Sequence, residues 1–123
     1  MDVGADVAIA WNGSREAARA LTLALPILAQ ASSVSVLTIA GETLELTGAH
    51  VLSYLGDHDI TAQHLEVAAG RSVGQTLIDG VGLAGADCLV MGAYGSSRGR
   101  EMVFGGATQY VVDHADIPVL MAH

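Results

Sequence analysis

Short apolar runs rich in β-branched residues alternate along this chain with longer stretches of helical period, which predicts an α/β fold on a mostly parallel sheet. Two further observations support that class. The run from Ala86 to Met91 is almost entirely apolar, as a strand covered on both faces must be. Helix start and stop signals fall between the runs, where crossover helices would begin and end. Five strands and four helices follow, and 123 residues suit one domain, 1–123, with a single core. The same unit also fits one half of a longer tandem chain.

The first strand is read over Val7 to Trp11, and the Asn12-Gly13-Ser14 turn then opens a helix. Its apolar positions Ala17, Ala18, Leu21, Ala24, Leu25 and Leu28 recur at helical spacing, and Pro26 is expected to bend it. Val34 to Ala40 forms a second strand, Leu44 to Leu55 a second helix, and Ile60 to Val67 a third strand with alternating character. Ser72 caps a third helix that runs to about Leu83, and Gly85 ends it before the central strand Ala86 to Met91. A last helix is expected over Thr108 to His114. Pro118 then starts Val119 to Ala122, where a proline suits an edge strand.

Composition narrows the function classes. The net charge is −8 and the five basic residues are all arginines, at positions 15, 19, 71, 98 and 100. They form no basic stripe, so nucleic acid and anionic membrane surfaces are not expected partners. Aromatic residues make up only 4% of the chain, too few for a base-stacking platform. No apolar run approaches the roughly 18 residues that cross a bilayer. Met1 to Trp11 carries Asp2 and Asp6 where a secretory leader would be basic, and cytoplasmic placement is expected. Cys88 is the single cysteine, lies in an apolar run, and reads as a buried inert thiol.

Chemistry concentrates between Gly92 and Thr108. Glycines stand at a strand end, Gly92 and Gly95, and at an expected helix start, Gly105 and Gly106. Glycine lets the backbone approach a ligand closely, and unpaired N–H groups at a helix N-terminus bind anions. Arg98 and Arg100 lie between the two pairs and can offset phosphate charge, although an exposed pair can equally serve solubility. On spacing alone, tight turns and close helix packing explain the glycines as well as a nucleotide site does.

The pattern Gly92-x2-Gly95-x9-Gly105 resembles the nucleotide motif of the universal stress protein family. The likeness extends over nearly the whole chain, through Val7-Ala8-Ile9-Ala10-Trp11-Asn12-Gly13-Ser14, Ala86-Asp87-Cys88-Leu89-Val90-Met91-Gly92 and Ile117-Pro118-Val119-Leu120-Met121. It implies the adenine nucleotide alpha-hydrolase-like (Rossmann-like) fold: a three-layer open sheet of five parallel strands in the order 3-2-1-4-5. Ligands of such sheets bind where the winding direction changes, outside the carboxyl ends of the strands.

By the same resemblance, Ala10, Trp11 and Asn12 border the adenine or ribose, Ile39 packs on the base, and Met91 and Gly92 line the pocket. Gly95, Gly105, Gly106 and Ala107 meet the phosphates of ATP, or of another adenine nucleotide, with magnesium as a companion ion. The resemblance further implies a stress-response role, and a homodimer through the last strand, Val119, Leu120 and Met121. Two positions depart from the family pattern. Gly106 stands where ATP-binding members usually carry Ser or Thr, which removes a hydroxyl contact to phosphate and leaves Thr108 as its substitute. Asn12 stands where Asp is common and gives up a charge-assisted bond to a ribose hydroxyl; a simple Asn-Gly turn is its alternative role.

Other motifs carry less. Gly80-Val81-Gly82-Leu83-Ala84-Gly85 satisfies GxGxxG but follows a helix and precedes a strand, the reverse of a dinucleotide fingerprint. Gly95-Ser96-Ser97-Arg98-Gly99 satisfies GxSxG, so a serine hydrolase with Ser97 as nucleophile is the rival from another class. Its acid and histidine should end later strands, whereas Asp113, His114 and Asp116 precede the last strand and His123 ends the chain. His50, His58 and His64 lack metal-ligand spacing, and a chain without lysine has no P-loop. A non-enzymatic nucleotide-binding domain is therefore expected, with slow or incidental ATP hydrolysis at most. The same fold acting as a dimeric interaction module without nucleotide is the alternative.

Overall fold

A computed structural model describes residues 5–41, 44, 46–93 and 100–122, with the backbone alone for 100–105. Its elements are β1 (Asp6–Ala10), α1 (Arg15–Gln30), β2 (Ser33–Ile39), α2 (Gly48–Asp57), β3 (Gln63–Val67), α3 (Val73–Ala84), β4 (Cys88–Gly92), α4 (Arg100–His114) and β5 (Val119–Ala122). Among the described residues the strands form one sheet in the order β3-β2-β1-β4-β5, parallel at every pairing. That is the expected doubly wound sheet.

Period-two alternation along β1 divides the interior into two layers. Val7 and Ile9 face a core shared with Val36 and Val90 of the sheet, Leu21 and Leu28 of α1, and Val51 and Leu55 of α2. Ala8 and Ala10 face the other core, with Leu37, Leu89 and Met91, Leu77 and Val81 of α3, and Val111 of α4. All five residues of β4 are buried, which the apolar run predicted. Burial pushes the Cys88 thiol pKa up, and the adjacent Asp87 carboxylate adds to the rise, so little reactive thiolate forms near neutrality.

The helix ends follow local chemistry. The Ser14 and Ser72 side chains accept from the backbone N–H groups of Ala17 and Gln75, at 3.0 and 3.1 Å, and so cap α1 and α3. Gly85 takes φ +65° after α3, and the Ala86 N–H donates to the Val81 carbonyl at 3.1 Å. The third glycine of the GxGxxG match is thus a helix stop. Helix α1 continues through Pro26.

Three boundaries differ from the sequence expectation by three residues or more. Helix α2 starts at Gly48, not Leu44, because His50 Nδ1 accepts the Thr47 N–H at 2.9 Å and fixes the entry there. Strand β3 starts at Gln63, three residues after Ile60, because Asp59 in the left-handed region and the Ile60 N–H bond to Leu55 (2.9 Å) still belong to the exit of α2. Helix α4 starts at Arg100, not Thr108. Glycine lowers helix propensity by about 1 kcal/mol but does not end a helix unless its dihedrals leave the helical region, so α4 runs through Gly105 and Gly106.

Truncation at β4 and at the surface should separate sharply in urea denaturation. Leu89→Ala, at a site 0% exposed, should lower unfolding free energy by about 2–5 kcal/mol, whereas Leu83→Ala, 70% exposed, should change it by under about 0.5 kcal/mol.

Candidate functional site

From β1 the chain winds through α1 and α2 to β2 and β3 on one side, and α3 then returns it to β4 on the other side of β1. The carboxyl ends of β1 and β4 are therefore neighbours, and the helices after them, α1 and α4, pack on opposite faces of the sheet, the arrangement in which open α/β sheets hold a ligand crevice. The ladders extend one residue beyond the strands: Trp11 N–H donates to the Leu37 carbonyl at 2.9 Å, Ala40 N–H to Val67 at 2.8 Å and Ala93 N–H to Ala122 at 2.9 Å. The backbone bordering the crevice is thus held firmly.

At the end of β1 the Asn12 side-chain oxygen accepts the Ser14 N–H at 3.0 Å, closing a turn in which Gly13 has φ +76°. This turn delivers Ser14 to its cap position and aims the amino end of α1 at the crevice. The turn role of Asn12 is therefore real, and its half-buried amide still stands at the crevice. The Trp11 ring is buried, and its Nε1–H donates to the Leu46 carbonyl at 2.8 Å. Ile39, half-buried, ends β2 opposite Val67.

At the end of β4 the geometry is tighter. A Cβ on Gly92 would lie 2.6 Å from the Ala17 backbone nitrogen and 2.7 Å from the Glu16 Cβ, so the strand end and the first turn of α1 touch backbone to backbone. Glycine is required there by packing. Glu16 itself is 5% exposed, a buried carboxylate beside the switch point. A first-turn glutamate is readable from sequence as favourable to the helix dipole, but only the closeness of Gly92 to α1 reveals that it is buried.

The structure thus brings Ala10, Trp11, Asn12, Met91 and Gly92 together at the ends of β1 and β4, with Ile39 at the adjacent end of β2. Met91 contributes to the second core and is fully buried. The expected phosphate residues are placed differently. Gly105, Gly106 and Ala107 lie inside α4, and so does Thr108. In a helix that starts at Arg100, the N–H groups without intrahelical partners belong to its first turn and not to the glycine pair. Gly106 is exposed, with open space where a Cβ would stand. Thr108, the expected substitute for the missing hydroxyl, is 0% exposed in this structure. Gly95, Ser97 and Arg98 lie outside the described residues. Arg100 is described in its backbone alone, as the start of α4.

The residues proposed as hydrolase partners stand elsewhere. Asp113 accepts from Gln109 Nε2 at 3.0 Å, and His114 Nδ1 lies 2.8 Å from the Tyr110 carbonyl oxygen. Both end α4, beside the amino end of the sheet and about 20 Å of helix from the crevice. No group of three or more His, Cys, Asp or Glu that could hold a metal ion occurs among the described residues. No helix among them is long and apolar enough to cross a membrane.

A model of the universal stress protein family matches residues 58–123. No curated protein sequence matches the chain to significance. Among solved structures, the universal stress protein UspA from Lactobacillus plantarum is 20% identical with full coverage of both chains and a TM-score of 0.69. A universal stress protein from Archaeoglobus fulgidus in complex with dAMP is 17% identical, covers 95% of this chain and 96% of its own, and has a TM-score of 0.68. A family protein from Arabidopsis thaliana with AMP bound is 17% identical over 94% of this chain and 89% of its own, with a TM-score of 0.60.

Substitution should separate packing glycine from spare glycine. Gly92→Ala should lower stability by about 1–3 kcal/mol through the clash with α1. Gly106→Ala, in open space inside a helix, should raise it by about 0.5–1 kcal/mol, both read from thermal and urea denaturation.

Proposed function

Because the chain belongs to the universal stress protein family, we propose that it binds an adenine nucleotide in the crevice between the ends of β1 and β4. The observation that carries this reading is the switch point itself, where the backbone of Ala10 to Asn12 and the end of β4 converge beside the amino end of α1. The nucleotide-bound relatives with the same sheet support it. Base and ribose would lie along the backbone of Ala10, Trp11 and Asn12 and beside Ile39, above Met91 and Gly92. The phosphates of ATP, with magnesium, would extend past Gly95 and Arg98 to α4, near Gly105 and Gly106.

The protein would act as a cytoplasmic regulatory element in a stress response and not as an enzyme. Binding at phosphate would rest on backbone N–H groups, since Thr108 is buried and Gly106 lacks a hydroxyl. This weakness favours a second reading, in which the fold serves as a dimeric interaction module without nucleotide. ATP or AMP at millimolar concentration with magnesium should raise the melting temperature, because a ligand of the native state stabilises it by mass action. No shift would select the second reading. Gly106→Ser fits the open space at that position and should tighten ATP binding about tenfold in calorimetry; an unchanged Kd would move the phosphates to the first turn of α4.

Both readings share a dimer. Val119, Leu120 and Met121 are half-buried, and β5 pairs with β4 on one side only among the described residues. Its outer edge suits a second copy of this chain, which would pair the edge N–H and C=O groups and cover the apolar side chains beside them. Analytical ultracentrifugation should report a dimer at micromolar concentration, and Leu120→Arg should shift it to monomer.

A further inference from the structure

The Trp11 ring does not stand open to a ligand: it is 5% exposed, belongs to the core beneath α1 and α2, and spends its single donor on the Leu46 carbonyl, 35 residues away. Leu46 lies in the connection from β2 to α2. Leu44, in the same connection, packs against this core, and its Cδ2 lies 3.7 Å from where a Cβ on Gly13 would stand; the Leu46 carbonyl oxygen lies 3.9 Å from that point. Leu44 and Leu46 thus lie against Gly13, beside Asn12 at the end assigned above to base and ribose.

Resting on that nucleotide reading, we propose that Trp11 is a positioning residue: its indole N–H holds Leu44 and Leu46 in place as a wall of the base end of the crevice. The bond joins two segments that no strand pairing connects directly at this point, since the β1–β2 ladder ends with Trp11 N–H on Leu37. A buried indole donor without its acceptor is unfavourable, so the bond and the position of the wall are retained together. A free connection would have to be ordered again each time a ligand bound.

Calorimetry with adenosine, AMP and ATP on the wild type and on Trp11→Phe tests this. Phenylalanine keeps an aromatic ring in the core and removes the donor. All three ligands should weaken by a common factor of about five, because the loss lies at the part they share. Leu55→Val, in the same core but away from the wall, should lower the melting temperature without changing any Kd. Unchanged affinity in Trp11→Phe, weakening of ATP alone, or an equal loss in Leu55→Val would overturn the proposal. A wild type that binds none of the three removes the nucleotide reading and this one with it, whereas a binding wild type with an indifferent variant removes only this one. Should Trp11→Phe not fold, benzothienylalanine at position 11 keeps the indole shape without its N–H and should give the same common factor.

Discussion

A strand with every side chain buried must have helices on both faces, and β4 is such a strand. A chain of this length meets the requirement by placing α1 and α2 on one face and α3 and α4 on the other. With right-handed crossovers, helices on both faces require the winding to reverse beside β1. The crevice between β1 and β4 is the geometric consequence of covering β4. It is bordered by the ends of two strands that are each paired on both sides.

Closure of the sheet on α1 then fixes what can stand at the crevice. The backbone contact at Gly92 brings the first turn of α1 against the end of β4, and it buries Glu16 in the process. The Asn12 turn and the Ser14 cap set where that helix begins. Residues that a ligand would approach are therefore also residues that define the junction between β1 and α1. Backbone-defined sites of this kind tolerate changes of side chain more readily than changes of chain direction, in keeping with relatives near 20% identity that retain the sheet.

Most of the fold was legible because it rests on period and punctuation. Val7 and Ile9 alternate with Ala8 and Ala10, the leucines of α1 follow helical spacing, and Ser72 and Gly85 bracket α3 as their chemistry requires. The order 3-2-1-4-5 came from family likeness, since period alone does not say on which side of β1 the fourth strand lies. The misplaced ends have local causes. The cap at Thr47 depends on a histidine side chain that common capping rules omit, and α4 absorbs two glycines that the sequence offers equally well as a helix start.

The candidate site was legible only where it coincides with strand ends. Ala10, Trp11, Asn12, Met91 and Gly92 fall together because β1 and β4 are adjacent, but what each does depends on long-range approach. Gly92 serves α1 packing, Met91 serves the core, and the Trp11 side chain serves a connection that the sequence places 35 residues away. None of these partners follows from spacing along the chain. Thr108 makes the converse point: a hydroxyl at a promising position is useful to a ligand only if the helix that carries it turns it outward, and here the pairing of α4 with the second core turns it inward. Recognition by backbone N–H groups is what remains available when side-chain hydroxyls are missing or enclosed. On the nucleotide reading proposed above, such recognition would read charge and shape more than the identity of the phosphate chain, and selectivity would then fall to the base end.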